Sequence, residues 1–175
     1  GQITITDGDN LELPEVSIRK IQDTREDAQN SEDRGQFLIT RSGGNANNLP
    51  LTVFFNISGG ATPDVGSTPP APQGDYVDVG NVTLGQVGSV TIGAGETSAT
   101  VTITPLDDFD AFEGNETVIL TLADPVIGPP QYIFGSDVTA TLTIADDDNL
   151  LALPEVEVVA SDPVAEEVNT NDPND

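Results

Sequence analysis

Three consecutive aspartates, Asp146, Asp147 and Asp148, close an alternating apolar and threonine run at residues 138–145. A second acidic group, Asp107, Asp108, Asp110, Glu113 and Glu116, follows another such run at 98–104. At a separation of about 4 Å, two unit negative charges repel by ~1 kcal/mol in water and ~4 kcal/mol at the effective dielectric near a protein surface. Several such pairs piled at strand ends ask for a cation. The chain has no His and no Cys, so the ligands on offer are oxygens, which suit a hard ion. Flexible coordination by many oxygens is what Ca2+ takes, whereas Mg2+ demands tighter octahedral geometry and gives up water reluctantly. These residues predict a calcium-binding β-domain. Asp110 stays open between loop surface and accessory ligand.

The elements that must hold these carboxylates are short strands. Apolar residues alternate with Thr or Ser, and turn residues stand between the runs. Strands are expected near 15–21, 36–41, 51–57, 89–92, 98–104, 116–123 and 137–145. The inward face would carry Phe37, Ile39, Val53, Phe55, Val101, Ile103, Val118, Leu120, Leu122, Val138, Ala140, Leu142 and Ile144. Residues 93–97, with two glycines, read as a tight connection between strands. No stretch keeps helical spacing for long. About seven short strands of this kind predict an all-β fold, an antiparallel β-sandwich. Residues 58–74 form a long Gly/Pro-rich insertion, and residues 159–175 an acidic tail expected to be partly disordered.

Composition excludes whole classes of function. A formal charge of −25, from 30 acidic against five basic residues, argues against a nucleic-acid partner, which needs cations to displace counterions from phosphate. No apolar run approaches the roughly 20 residues of a membrane helix, so no direct membrane insertion is expected. A Ser, Cys or zinc mechanism has neither base nor ligand in a chain lacking His and Cys. Carboxylates are plentiful enough for glycoside chemistry, but with 5% aromatic residues and no Trp no motif separates an acid from a base. The chain is read as a non-enzyme, with no catalytic residue and no organic cofactor.

Residues 3–16 nearly repeat at 142–156, ending in Leu-Pro-Glu-Val both times, with one residue inserted. The offset, about 140 residues, is a domain length and far above a solenoid period. The expected organisation is a cut from a tandem array. Residues 1–9 would be the last strand of a preceding repeat, 14–149 a complete domain, and 150–175 a linker with the start of the next. Gly8 stands where the second copy has Asp147, so the preceding repeat's site should bind fewer ions or bind them more weakly.

Six separated motifs follow one another: Gln36 to Gly44, Gly74-Asp75-Tyr76, Val90 to Pro105, Asp107-Asp108, Glu113 to Val118, and Tyr132 to Gly135, before the closing aspartates. In that order they resemble the Calx-β domain family over about residues 14–149. The resemblance implies an immunoglobulin-like sandwich of seven strands whose loops at one end hold Ca2+. It implies Asp75, Asp107, Asp108, Glu113, Glu116, Asp146, Asp147 and Asp148 as ligands, and an acidic residue after the first strand. There the chain departs from the family pattern. The internal repeat sets Glu166 and Glu167 opposite Glu26 and Asp27 when counted from the shared Pro-Glu-Val, which favours Glu26, with Asp27 second and Glu32 weaker. So many carboxylates exceed one ion's charge requirement, and more than one calcium is expected.

The favoured function is a calcium-rigidified structural and interaction module from a large extracellular or cell-surface protein, such as an adhesin. Its partners would be the neighbouring repeats and a protein or glycan ligand. The alternatives are a cytoplasmic calcium sensor regulating an attached transporter or enzyme, and a carbohydrate-binding module. Sensors work near 10⁻⁷ to 10⁻⁵ M and extracellular modules near 10⁻⁴ to 10⁻³ M. Affinity separates the first two. Three N-glycosylation sequons, at Asn56, Asn81 and Asn115, are short patterns that arise easily by chance.

Overall fold

Where apolar and polar residues alternate, one face of a strand can be buried while the other meets solvent. A computed structural model describes residues 12–26, 32–44, 48–64, 74–79, 87–107, 114–125 and 128–147. The expectations for residues 1–9 and 150–175 lie outside these. Among the described residues the alternation becomes ten strands: β1 (Glu15–Gln22), β2 (Thr24–Arg25), β3 (Gly35–Ser42), β4 (Leu51–Gly59), β5 (Tyr76–Val79), β6 (Val87–Ile92), β7 (Ser98–Pro105), β8 (Glu116–Ala123), β9 (Ile133–Phe134) and β10 (Thr139–Ala145).

They form two five-stranded sheets, β5-β7-β3-β1-β9 and β2-β10-β8-β4-β6. Six of the strand pairs are antiparallel, and β1–β9 and β10–β2 are parallel. The fold is an all-β sandwich. Phe37, Ile39, Val53, Phe55, Val118, Leu120 and Leu142 are completely buried between the sheets. Full burial of such a side chain stabilises by about 1.5–3 kcal/mol relative to exposure. Gly88 lies where a Cβ would run into the Phe55 ring, so the β6 backbone itself completes that part of the core.

All seven expected strands are present. All lie within two residues of their predicted ends, and the last begins at Thr139 instead of Asp137. Here the chain changes sheets. The Asp137 carbonyl still accepts from the Ile18 amide of β1 at 2.8 Å, while the Val138 carbonyl accepts from Leu122 of β8, also at 2.8 Å. Val138, expected in the core, is only half-buried at this crossing. The other twelve expected core residues are buried.

A second crossing runs between the same two sheets in the same sense, along the same edge. β1 lies in one sheet, Asp23 intervenes, and β2 joins the other sheet beside β10. The β1–β3 register shifts between Lys20 and Gln22. Ile21 takes up the extra position and is 44% exposed. A bulge of this kind bends and twists a strand, and here it turns β1 toward the opposite sheet.

Tyr132 closes the β4–β8 ladder where Phe54 faces Ala123. Its hydroxyl donates to the Ala123 carbonyl at the end of β8 and accepts from the Phe54 amide of β4 at 3.0 Å. Burial pushes that hydroxyl above its ordinary pKa. The Phe54 amide opposes the shift, and the charge of Asp124 adds to it.

Candidate metal centre

The strand directions decide where the carboxylates go. β1 and β3 meet with Gln22 opposite Gln36, β3 and β7 with Gly35 opposite Ile103, and β5 and β7 with Tyr76 opposite Pro105. In the other sheet Gly59 faces Val118, and Ile144 faces Glu116. The end of β1, β4, β7 and β10 and the start of β3, β5 and β8 therefore share one pole of the sandwich. Glu26, Asp75, Asp107, Glu116, Asp146 and Asp147 all belong to it. Residues separated by more than a hundred positions in sequence are gathered by topology alone.

Asp75 is 7% exposed and Glu26 6%. Burial of a carboxylate is costly unless hydrogen bonds or positive charge compensate it. Around Asp75 the compensation is built from Thr62. Its backbone amide and its hydroxyl, the latter at 3.0 Å, both donate to Asp75 Oδ2. The main chain repeats the clamp: Asp75 N–H donates to the Thr62 carbonyl at 2.8 Å, and the Asp75 carbonyl accepts from Leu106 at 2.9 Å. Asp64 N–H donates to the Tyr76 carbonyl at 2.8 Å. Both ends of the Gly/Pro-rich insertion are thereby tied to β5, so Asp75 is fixed whatever the length between them. Gly74 permits the approach, because a Cβ there would come within 2.6 Å of the Asp64 nitrogen.

Glu26 is carried by the crossing strand. β2 pairs Thr24 with Ile144 and Arg25 with Ala145, and the Glu26 amide donates to the Ala145 carbonyl at 3.2 Å. That puts Glu26 next to the start of the aspartate run. The Asp146 amide donates to Asn115 Oδ1 at 3.1 Å, which joins the end of β10 to the approach to β8. Glu116 opens β8, with its Oε2 shut off from solvent. Its Oε1 lies 3.8 Å from where a Cβ on Gly60 would stand. Asp107 and Asp147 are exposed at the rim.

Among the described residues, no three of these carboxylates converge closely enough to hold a metal ion by themselves. Asp27, Asp108, Glu113 and Asp148, the other predicted ligands, lie outside the described residues, as does Asp110. Glu32 is exposed, and its carbonyl accepts from the Gln22 side chain at 2.7 Å. Sequence reasoning missed Thr62 and Asn115. Asn115 could have been found from its place between Gly114 and Glu116. A threonine inside a Gly/Pro-rich stretch carries no such signal.

No protein-family model matches the sequence, and no curated protein does. Among solved structures the chain is similar to the apo-form Calx CBD1 domain, at 19% identity and a TM-score of 0.48, over 78% of this chain and 100% of that one. It is also similar to CBD12 from CALX1.2, at 19% identity and a TM-score of 0.44, over 77% of this chain and 44% of that one. A third similarity is to the Calx CBD2 domain, at 14% identity and a TM-score of 0.39, over 74% of this chain and 86% of that one.

Proposed function

We propose that this domain binds Ca2+ at its acidic pole and uses the ion to rigidify one module of a tandem array in a large extracellular or cell-surface protein. The observation that carries the reading is the pair of buried carboxylates, Glu26 and Asp75, at the pole where Asp107, Glu116, Asp146 and Asp147 also lie. The donor set is all oxygen, which fits a hard cation with six to eight ligands at about 2.3–2.6 Å. Asp27, Asp108, Glu113 and Asp148 complete the proposed set from sequence positions directly next to described ones. Bound calcium would supply positive charge where the fold concentrates negative charge, and binding to the folded state alone would add to stability.

The near-repeat of residues 3–16 at 142–156 supports an array in which each acidic pole stands beside the linker to the next module. Calorimetric titration of chelator-stripped protein with CaCl2 tests the reading, with thermal unfolding followed in parallel. Saturable binding with a raised melting temperature, both lost in Asp146→Ala/Asp147→Ala, is the expected result. A dissociation constant near 10⁻⁴ to 10⁻³ M fits the structural module, and one near 10⁻⁷ to 10⁻⁵ M fits a sensor. A flat titration would reduce the acidic pole to surface charge.

A further inference from the structure

Glu26 can face the aspartate run only if the chain leaves one sheet after β1 and docks on the other at one register. A single side chain stands at that turning point. Asp23 Oδ1 accepts the backbone N–H of Thr143 in β10 at 2.8 Å, and its Oδ2 accepts from Lys20 Nζ at 2.6 Å. The carboxylate thus does for β10 what a neighbouring strand would do, on the edge where β2 pairs only with Ile144 and Ala145. From Thr143 the contacts follow residue by residue: Thr24 beside Ile144, Arg25 beside Ala145, then the Glu26 amide on the Ala145 carbonyl.

We infer that Asp23 is a positioning residue for the calcium site: it latches the crossing strand to β10 and so sets Glu26 beside Asp146. Asp23 does not itself touch the ion. It lies directly after the bulged end of β1, where the chain leaves its sheet, and its bond to Thr143 ties the crossing to β10. Burial works to raise the Asp23 carboxyl, but the bonds from Lys20 and Thr143 and the charge of Lys20 outweigh it. Its pKa accordingly lies below the usual value, and the latch is charged at neutral pH. Groups that orient metal ligands from outside the coordination shell typically change affinity by about 10–100-fold when removed.

This inference rests on the calcium-binding reading, and its test separates the two. Calcium affinity is measured by calorimetry for the wild type, Asp23→Ala and Asp23→Asn, with hydrogen exchange at the Glu26 and Thr143 amides of the calcium-free proteins. Asn keeps an acceptor for Thr143 and removes the charge, and Ala removes both. The expected result is about tenfold weaker binding in Asp23→Ala, faster exchange at both amides, and substantial rescue of both readouts in Asp23→Asn. Wild-type binding with unchanged affinity in Asp23→Ala would overturn the role of Asp23 and leave the calcium site standing. Equal losses in Ala and Asn would also overturn it, because charge and not the latch would then be responsible. A wild type that binds no calcium would overturn the calcium site and the role together.

Discussion

The two poles of the sandwich bury opposite charges and treat them differently. At the pole where β3 ends, Arg41 is 5% exposed, and its guanidinium donates to three backbone carbonyls, Glu96 at 2.8 Å, Leu49 at 2.8 Å and Gly93 at 3.0 Å. Its own amide donates to Thr97 at 2.8 Å. The planar five-donor fork suits such a cluster of fixed acceptors. At the acidic pole the buried groups are carboxylates from several segments, with more acids at the rim. A buried cation met by carbonyls of the same fold is a closed structural unit. Carboxylates gathered in excess of the local positive charge make a pole at which like charges repel one another.

The comparison is broken most directly at the arginine. Arg41→Ala removes three charge-assisted bonds and the packing of the alkyl stem. It should cost about 4 kcal/mol, given ~1.5–3 kcal/mol for each hydrogen bond to a charged group and incomplete additivity. Urea unfolding should show the same loss with calcium and with chelator. Arg41→Lys keeps the charge but not the fork, and should recover only part of it. A loss that vanished in chelator would mean that the two poles are coupled.

At the acidic pole the sign should depend on the solution. The wild type at free calcium a hundredfold above its dissociation constant should gain about 2.7 kcal/mol per site over the calcium-free protein. Asp146→Ala/Asp147→Ala should lose that gain. In chelator the same variant should be as stable as the wild type or slightly more so, because two repelling charges are gone. Thermal scans of both proteins in both buffers check this. A variant equally destabilised in both buffers would make the aspartates ordinary structural residues.

The contrast also explains what the sequence made legible. The seven long strands follow from period-2 patterning, since half-buried strands of six to nine residues leave a readable alternation. β2, β5 and β9, of two to four residues, are too short to leave one, and pairing with neighbouring strands places them. Val138 was misplaced for a related reason: alternation cannot reveal where a chain changes sheets. The acidic pole was visible as clustered carboxylates at strand ends. Thr62 and Asp23, which orient those strand ends, were hidden, because hydrogen bonds between distant segments leave no spacing pattern. Arg41 was passed over too, since one basic residue in a strand does not announce that three carbonyls will converge on it.

Tyr132→Phe sharpens the distinction between fold and site. The substitution keeps the ring and deletes the hydroxyl that bridges Phe54 and Ala123, so it should cost about 1–3 kcal/mol through two lost partners. Calcium affinity should be unchanged, because neither residue it bridges lies at the acidic pole. The raised pKa of Tyr132 also gives an alkaline signature. Its contribution is full below the unfolded-state value near 10 and is lost as pH rises through the higher folded value. Equilibrium unfolding of wild type and Tyr132→Phe across that range should show the gap between them closing.

The smallest expected effect lies at the latch of the acidic pole. The folded pKa of Asp23 is depressed, so its contribution to stability is present above the unfolded aspartate value near 3.9 and is lost as pH falls through the folded value. Asp23 and Lys20 are 48% and 39% exposed at their side chains, and solvent screening should hold the ion pair's share to a few tenths of a kcal/mol, or about 0.5 at most. Lys20→Ala should therefore change stability little at neutral pH, and less still in high salt. Asp23→Ala should cost more, because the Thr143 amide loses its acceptor as well. Urea unfolding between pH 3 and 7 on both variants separates the two contributions. If Lys20→Ala matched Asp23→Ala throughout, the ion pair and not the bond to β10 would hold the crossing strand. The order Asp23→Ala well below Lys20→Ala locates the restraint in one backbone hydrogen bond beside the strand end that leads into Asp146.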